Sequence, residues 1–459
     1  AVNLEISDNS PGAPILDIES GTWWRVDGRA GGLGTVKNLT VENIDNLNTL
    51  GGSVAIRFIN GAQNNIVRFI NARSSNKALV GGVMNFGQGT LTDGNSNNTV
   101  TNCDIFASST GELPHTGISF IGLNTPNNNN TISNNNIYNF FNPAGNTYGI
   151  YISDNTTNWT ISGNSIYQTA LRVLTGGLAD RLYCGIGSTP TDFSTVTGHQ
   201  IIGNFIGGTA PNCGGTPLDI SDNGTATLLL RAIFMQAGTA VPTSIQGNTI
   251  RNISLTTNSS SNNQSLISAA SGAFNIGNVT PNILGSTTGT GSVSISRTSA
   301  GASRFSVILT GTGSGLGAMN ISNNVMGSFT VSRPGNVNLA GIYCLGAVPT
   351  YTVYGNQIGG TTAGSISNNS AGGDTCGIFM GAATLANTLF GNTIQNLSSG
   401  VSRLIAIRTD GGVNNTSGNT IRNCTSTSTA LTGCIGIWSA SAAAGQSIAQ
   451  NTIHSLSST

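Results

Sequence analysis

The phrase ISGNSIYQ (161–168) decides how this chain is read, because near copies of it keep returning. They stand at IQGNTIRN (245–252), LFGNTIQN (389–396), TSGNTIRN (416–423) and IAQNTIHS (448–455). Aligned as apolar-x-x-Asn-x-apolar, the pattern places Asn at 135, 164, 204, 248, 282, 324, 356, 392, 419 and 451. Two residues after each Asn stands an aliphatic: Ile137, Ile166, Ile206, Ile250, Leu284, Met326, Ile358, Ile394, Ile421 and Ile453. The intervals run from 27 to 44 residues, the length of one supersecondary unit in a repeat array. Degenerate copies precede them at VTNCDI (100–105), with Cys103 in the Asn slot, and at LTVENI (39–44).

A second motif, Gly-Ile-x-apolar, accompanies the first. It reads GISF at 117, GIYI at 149, GIYC at 341, GIFM at 377 and GIWS at 436, with looser forms AIFM at 232, LIAI at 404 and SVIL at 306. In five intervals it begins fifteen residues before the Asn: 149/164, 341/356, 377/392, 404/419 and 436/451. Each repeat thus has a half of fixed length and an elastic half. The fixed half holds short runs of period-two apolar spacing between Gly and Asn, which is strand chemistry. Strands of three to five residues with few hairpin signals argue against propeller blades. They fit a coil whose strands lie parallel over their copies in the next turn. In such a coil Asn tolerates the left-handed backbone of a sharp bend. Its side chain, about 4.8 Å from its copy, passes amide hydrogen bonds from turn to turn while the aliphatics form a column inside.

Composition agrees. Charged residues are 7% of the 459, Gly numbers 63, and Lys+Arg balance Asp+Glu at 17 each. With 37% apolar residues the chain is not of disordered type, and no apolar run approaches a membrane span. Zero formal charge without basic runs argues against nucleic acid as a partner. Of seven cysteines none forms a CxxC. The loops Cys184…Cys213 and Cys424…Cys434 are short enough for disulfides in an oxidising compartment, and buried free thiols are the other reading.

The two motifs together resemble the right-handed parallel β-helix of the pectin-lyase-like superfamily. The long Asn/Gly/Ser/Thr-rich repeats resemble modules of large surface proteins and adhesins of gliding, Bacteroidetes-type bacteria. The resemblance covers roughly residues 15–459. It implies an all-β solenoid of roughly 12–13 coils, about 60 Å long at 4.8 Å per coil, with long loops on one edge. Residues 1–45 would form the first coils and cap, 46–459 the repeats. WWRVDGRAGGLG (23–34) resembles the start of such helices, and Trp23 and Trp24 would plug the N-terminal end. The last motif stands at the end of the sequence, which leaves the C-terminal coil open to the rest of a longer chain or to another subunit.

The resemblance also implies where catalysis would sit. Lyases and hydrolases of this superfamily cluster acids on neighbouring coils, because carboxylates must meet within several ångströms to act as acid and base or to hold Ca²⁺. Asp154, Asp374 and Asp410 have no acidic neighbour in register. Asp219 and Asp222, with Asp180 and Asp192, form the one acidic cluster, a Ca²⁺ site or an Asp-rich turn. His199 in GHQ reads as a solvated residue leading into a strand, and His115 and His454 stand alone. No catalytic residue, cofactor or metal ligand is assigned. The candidate ligand surface is instead the outward x position of the Gly-Ile motif: Ser119, Tyr151, Gly187, Phe234, Tyr343, Phe379, Ala406 and Trp438. Its aromatics, Tyr151, Phe234, Tyr343, Phe379 and Trp438, would bind sugar rings or an apolar partner unless the elastic segments (168–184, 207–230, 253–264, 286–303) fold over them. The expected role is a non-enzymatic, extracellular, structural and adhesive module meeting glycan, substratum or sister copies. A polysaccharide lyase or glycoside hydrolase acting on acidic glycans is the alternative. An ice-binding solenoid is a third reading, which the unregistered threonines oppose.

Overall fold

Most copies of the two motifs form strands, and these pair in parallel with their copies one repeat on. The structure, a computed structural model, describes residues 3–45, 52–87, 93–122, 125–176, 180–260, 264–299, 301–332, 335–346, 350–381, 386–428 and 433–458. Among them there is no α-helix, only strands and three short 3-10 turns. The fold is a parallel β-solenoid with three faces. Among the described residues the Gly-Ile face has thirteen rungs, from Leu16–Glu19 and Ile56–Ile59 through Thr147–Ile152, Val337–Cys344 and Thr375–Met380 to Cys434–Ser439. A second face carries the strands leading into the Asn motif, such as Thr160–Ser162 and Tyr351–Tyr354. The third follows the Asn, from Leu4–Asp8 to Thr452–Ser458.

The aliphatic column exists as read. Ile137, Ile166, Ile206, Ile250, Leu284, Met326, Ile358, Ile394, Ile421 and Ile453 pair in unbroken register. The nine through Ile421 are buried in one core that runs from Ile18 to Cys424, while Ile453 in the last rung is exposed. Burying each such side chain stabilises by roughly 1.5–3 kcal/mol, a gain that exists only against the neighbouring coils. The glycine of the second motif faces this column. A Cβ on Gly117, Gly149, Gly341 or Gly377 would lie 2.5–2.8 Å from Cγ2 of Ile137, Ile166, Ile358 or Ile394. The two motifs keep their spacing because they meet across the core of one coil.

The Asn ladder also exists. Each Nδ2 donates to the next Oδ1, at 3.0 Å from Asn135 to Asn164, 3.0 Å from Asn204 to Asn248, 2.8 Å from Asn282 to Asn324 and 2.9 Å from Asn419 to Asn451. The bonds from Asn164, Asn248, Asn324, Asn356 and Asn392 complete the series. Cys103 fills the slot as expected, its N–H donating to Asn135 Oδ1. The backbone differs from expectation. None of the ten is left-handed; the residue before it usually is, as at Asn134, Gly163, Gly203, Gly247, Asn323, Gly355, Gly391, Gly418 and Gln450. Gly-Asn is thus a division of labour, in which Gly makes the bend and Asn bridges the coils.

Several expectations need correction. LTVENI is misframed by three: Val41, not Ile44, stands in register with Ala72 and, through it, with Ile105. LIAI is misframed by two, because Ile407 pairs with Ile378 and Arg408 with Phe379. The outward residue is therefore Arg408, and Ala406 lies buried in the core. The elastic segments are not loops alone. Leu218–Asp222, Ile253–Thr257, Val293–Arg297, Phe329–Ser332, Ile366–Asn369 and Leu397–Ser399 extend the third face in register. Residues 177–179, 261–263 and 300 of those segments lie outside the described residues. Trp23 and Trp24 do not plug the first coil; they are 78% and 65% exposed, and Trp23 itself is left-handed. The cysteines are free thiols, so neither short loop is closed by a disulfide. All but Cys434 are buried, and Cys434 Sγ meets the carbonyl of Cys424 rather than its sulfur.

Candidate functional site

The outer side of the Gly-Ile face folds in on itself. In a regular strand, residues two apart share a side. Here the pairing registers skip Gly149, Gly185, Gly341 and Gly377, so residues three apart both point outward. One outer column therefore reads Tyr148, Cys184, Arg231, Ser265, Ser306, Ala340, Cys376, Ile405, Ile435. The other reads Ser119, Tyr151, Gly187, Phe234, Ser268, Leu309, Tyr343, Phe379, Arg408, Trp438. The columns touch across the bend. The rings of Tyr148 and Tyr151 lie 4.8 Å apart, and the Arg231 guanidinium sits 4.3 Å over Phe234.

This bend explains why the expected aromatic surface divides. Tyr151 and Phe234 are each only 6% exposed, buried in an outer cluster with Tyr148, Leu182, Cys184, Leu229 and Ala270. Leu79, from the connection that precedes Met84–Phe86, also packs against this cluster. Between the two aromatic stretches the columns carry Ser265, Ser268 and Ser306, whose buried hydroxyls find no protein partner among the described residues. Toward the last coils the groove is more open. Tyr343 and Trp438 are half-buried, and Phe379 is 9% exposed.

Around those three aromatics gather five charged side chains, Arg304, Asp374, Arg403, Arg408 and Asp410. Asp374 accepts from Arg403 Nε at 3.0 Å and Nη2 at 2.7 Å, and from Arg408 Nη1 at 3.3 Å. Asp410 holds the other edge of Arg408 at 2.7–3.0 Å. Tyr343 and Phe379 stack at 4.3 Å and 13°. Arg304 lies 3.8 Å over Tyr343, Arg408 lies 5.0 Å over Phe379, and Arg403 lies 5.1 Å over Trp438. The ring faces are thus largely occupied by guanidinium groups and by each other. What remains for a ligand are polar edges lining a cavity of about 140 Å³ among Asn338, Tyr343, Asp374, Phe379 and Arg408. Burial pushes the Tyr343 phenol up and the Arg304 guanidinium down, and the hydrogen bonds that Arg408 donates to Asp410 raise Arg408.

The acidic cluster at 180–222 is tied into its loops. Asp180 accepts from Thr227 and Ser259 hydroxyls at 2.7 and 3.0 Å. Asp222 accepts from the N–H groups of Gly224, Leu228 and Asn258 and from Thr257 Oγ1. Asp192 caps the turn Phe193–Thr195, while Asp219 is exposed. No group of three or more His, Cys, Asp or Glu converges among the described residues.

His199 is not solvated. It is fully buried, and its Nδ1 accepts from the Trp159 N–H at 3.3 Å. It belongs to a second ladder that sequence reading missed: Asn65 donates to Asn98 at 2.9 Å and Asn98 to Asn130 at 3.1 Å, with Trp159 and His199 following in later coils. The signal was present as an Asn at 65, 98 and 130, but three copies ended by Trp and His make a short repeat. No family model, curated protein or solved structure matches this chain.

Proposed function

We propose that this chain is a non-catalytic, structural and adhesive module of an extracellular bacterial protein, with the solenoid of the pectin-lyase-like superfamily as its scaffold. The outer groove of its last four coils would meet a glycan through polar edges. One observation carries the reading: partly exposed Tyr343 and Trp438 lie within a network of Arg403, Asp374, Arg408 and Asp410, while the equivalent Tyr151 and Phe234 are buried. Planar guanidinium and carboxylate groups held rigidly at a groove edge suit the paired hydroxyls of sugars.

The test is retention on immobilised neutral and acidic polysaccharides, read by surface plasmon resonance, together with sedimentation for self-association. The parent chain should bind at least one glycan, and Trp438→Ala and Arg408→Gln should each weaken that binding about tenfold without changing the circular-dichroism spectrum. Binding that survives both substitutions would sink the assignment of this face. Turnover of a uronic-acid glycan that is lost in Asp222→Asn would establish the enzymatic alternative.

A further inference from the structure

A second region, in the earlier coils and at the edge where the third face leads into the Gly-Ile face, has the form of a ligand cleft. Two successive connections from the third face to the Gly-Ile face, 108–115 and 139–146, lie beside the segment 168–173, which leads into the third-face strand Arg172–Leu174. Two hollows open between them, of about 670 and 440 Å³, and they share Gly111, Leu113 and Arg172. Both sizes fall in the usual range for small-molecule sites. Leu113, Phe141, Pro143, Leu171 and Val173 make the wall of the larger one apolar, and Leu171 is 52% exposed in it. Phe106 begins the wall of the smaller one; its ring stacks on Tyr138 at 4.6 Å, and Tyr138 stacks on Tyr167 at 4.9 Å.

The charges around the cleft are matched with one exception. Lys77 pairs with Glu112 at 3.2 Å, and Arg73 with buried Glu42 at 3.4 Å. His115 is neutral near pH 7, because burial lowers its pKa to about 4. Arg172, which lines both hollows, meets no carboxylate among the described residues. Its Nε donates to Gln168 Oε1 and its Nη2 to Asn139 Oδ1, both at 2.8 Å. Two amide oxygens therefore clamp one edge of the guanidinium and leave the Nη1 donors for the cleft. A partly desolvated cation fixed at the junction of two hollows, beside an apolar wall, calls for a monoanion with an apolar body.

We infer that this cleft binds a small amphiphilic carboxylate, with the carboxylate on Arg172 and the apolar body against Leu113, Phe141, Pro143 and Leu171. The two sources of that chemistry are a fatty acid and an acylated amino acid. Octanoate and N-acetyl-leucine probe them separately, and 3-phenylpropionate against 3-phenylpropanamide isolates the charge. Isothermal titration of the whole chain should show saturable binding of 3-phenylpropionate and at least about tenfold weaker binding of the amide. Arg172→Gln should remove that preference, Arg25→Gln should leave it unchanged, and thermal melts report whether each variant folds. Leu171→Glu, at an exposed position, places an anion in the cleft and should abolish carboxylate binding even if the Arg172 variant proves unstable. Equal affinity for acid and amide, a preference retained in Arg172→Gln, or no saturable binding of any of the three acids would overturn the inference.

Discussion

Asn356→Ala removes one rung of the amide ladder from its interior, and the structure fixes what is lost. Asn356 is fully buried. Its Nδ2 donates to Ile321 O at 2.9 Å and to Asn392 Oδ1 at 3.0 Å, and its Oδ1 accepts from the N–H and Nδ2 of Asn324, both at 3.0 Å. Some partners keep other bonds: Asn392 Oδ1 still accepts from the backbone N–H of residue 356, and Asn324 Nδ2 still reaches Ile276 O. The buried Asn324 N–H is left without its acceptor, and Ile321 O loses a donor. An orphaned buried donor costs about 1–3 kcal/mol and each lost bond about 1 kcal/mol, so the expected destabilisation is about 2–4 kcal/mol. Asn451→Ala is the control. Asn451 makes the same kinds of bond to Thr416 and Asn419, but it is only half-buried, so water replaces much of what is lost and the cost should stay below about 1 kcal/mol. Hydrogen exchange read by mass spectrometry measures both as opening free energies. Protection should fall in 316–327 and 386–395, the coils on either side, and persist in 131–138. A cost below about 0.5 kcal/mol for Asn356→Ala, or equal costs for the two variants, would refute the ladder as a source of cohesion.

Gly377→Ala should lower the melting temperature by the equivalent of about 1–3 kcal/mol, because the new Cβ would lie 2.5 Å from Ala406 O and 2.8 Å from Ile394 Cγ2. Gly391→Ala meets nothing within 4 Å and bears only the left-handed cost of about 1–2 kcal/mol; a milder effect at 377 than at 391 would contradict the facing of the two motifs. His199 contributes to acid stability. Burial lowers its pKa from 6.5 to about 4, so between those values the unfolded chain takes up a proton that the folded chain refuses. The stability it contributes is complete above about pH 6.5 and is lost as the pH falls toward 4, by about 3 kcal/mol in all. His115 shifts in the same direction, so His199→Asn, which restores an amide to the slot, should remove roughly half of the pH slope of melting. An unchanged slope would exclude His199 as the group responsible.

The solenoid was written plainly in the repeated phrase. Asn and the aliphatic two places on recur because each touches its own copy, and a contact between like residues leaves a period in the letters. The Gly-Ile motif was legible for the same reason, although its distance from the Asn motif gave no hint that Gly377 and Ile394 meet across the core. The short strands of the elastic segments were also visible as alternation in ISLTT and VSISR, but irregular spacing hid their register. The second ladder was lost where Trp159 and His199 break its lettering.

The outer surface obeyed no such period. That Tyr151 is buried and Tyr343 is half exposed depends on what stands three residues earlier, Tyr148 in one coil and Ala340 in the other, once the bend brings the two columns together. Among the described residues Arg172 meets an amide and Arg403 a carboxylate, because of residues some thirty positions away that the winding lays alongside. Contacts along the column are enforced by backbone pairing and repeat in every coil, so the chain alone announces them. Contacts outside it arise between unlike residues, through connections of variable length, and only the wound molecule decides which of them meet.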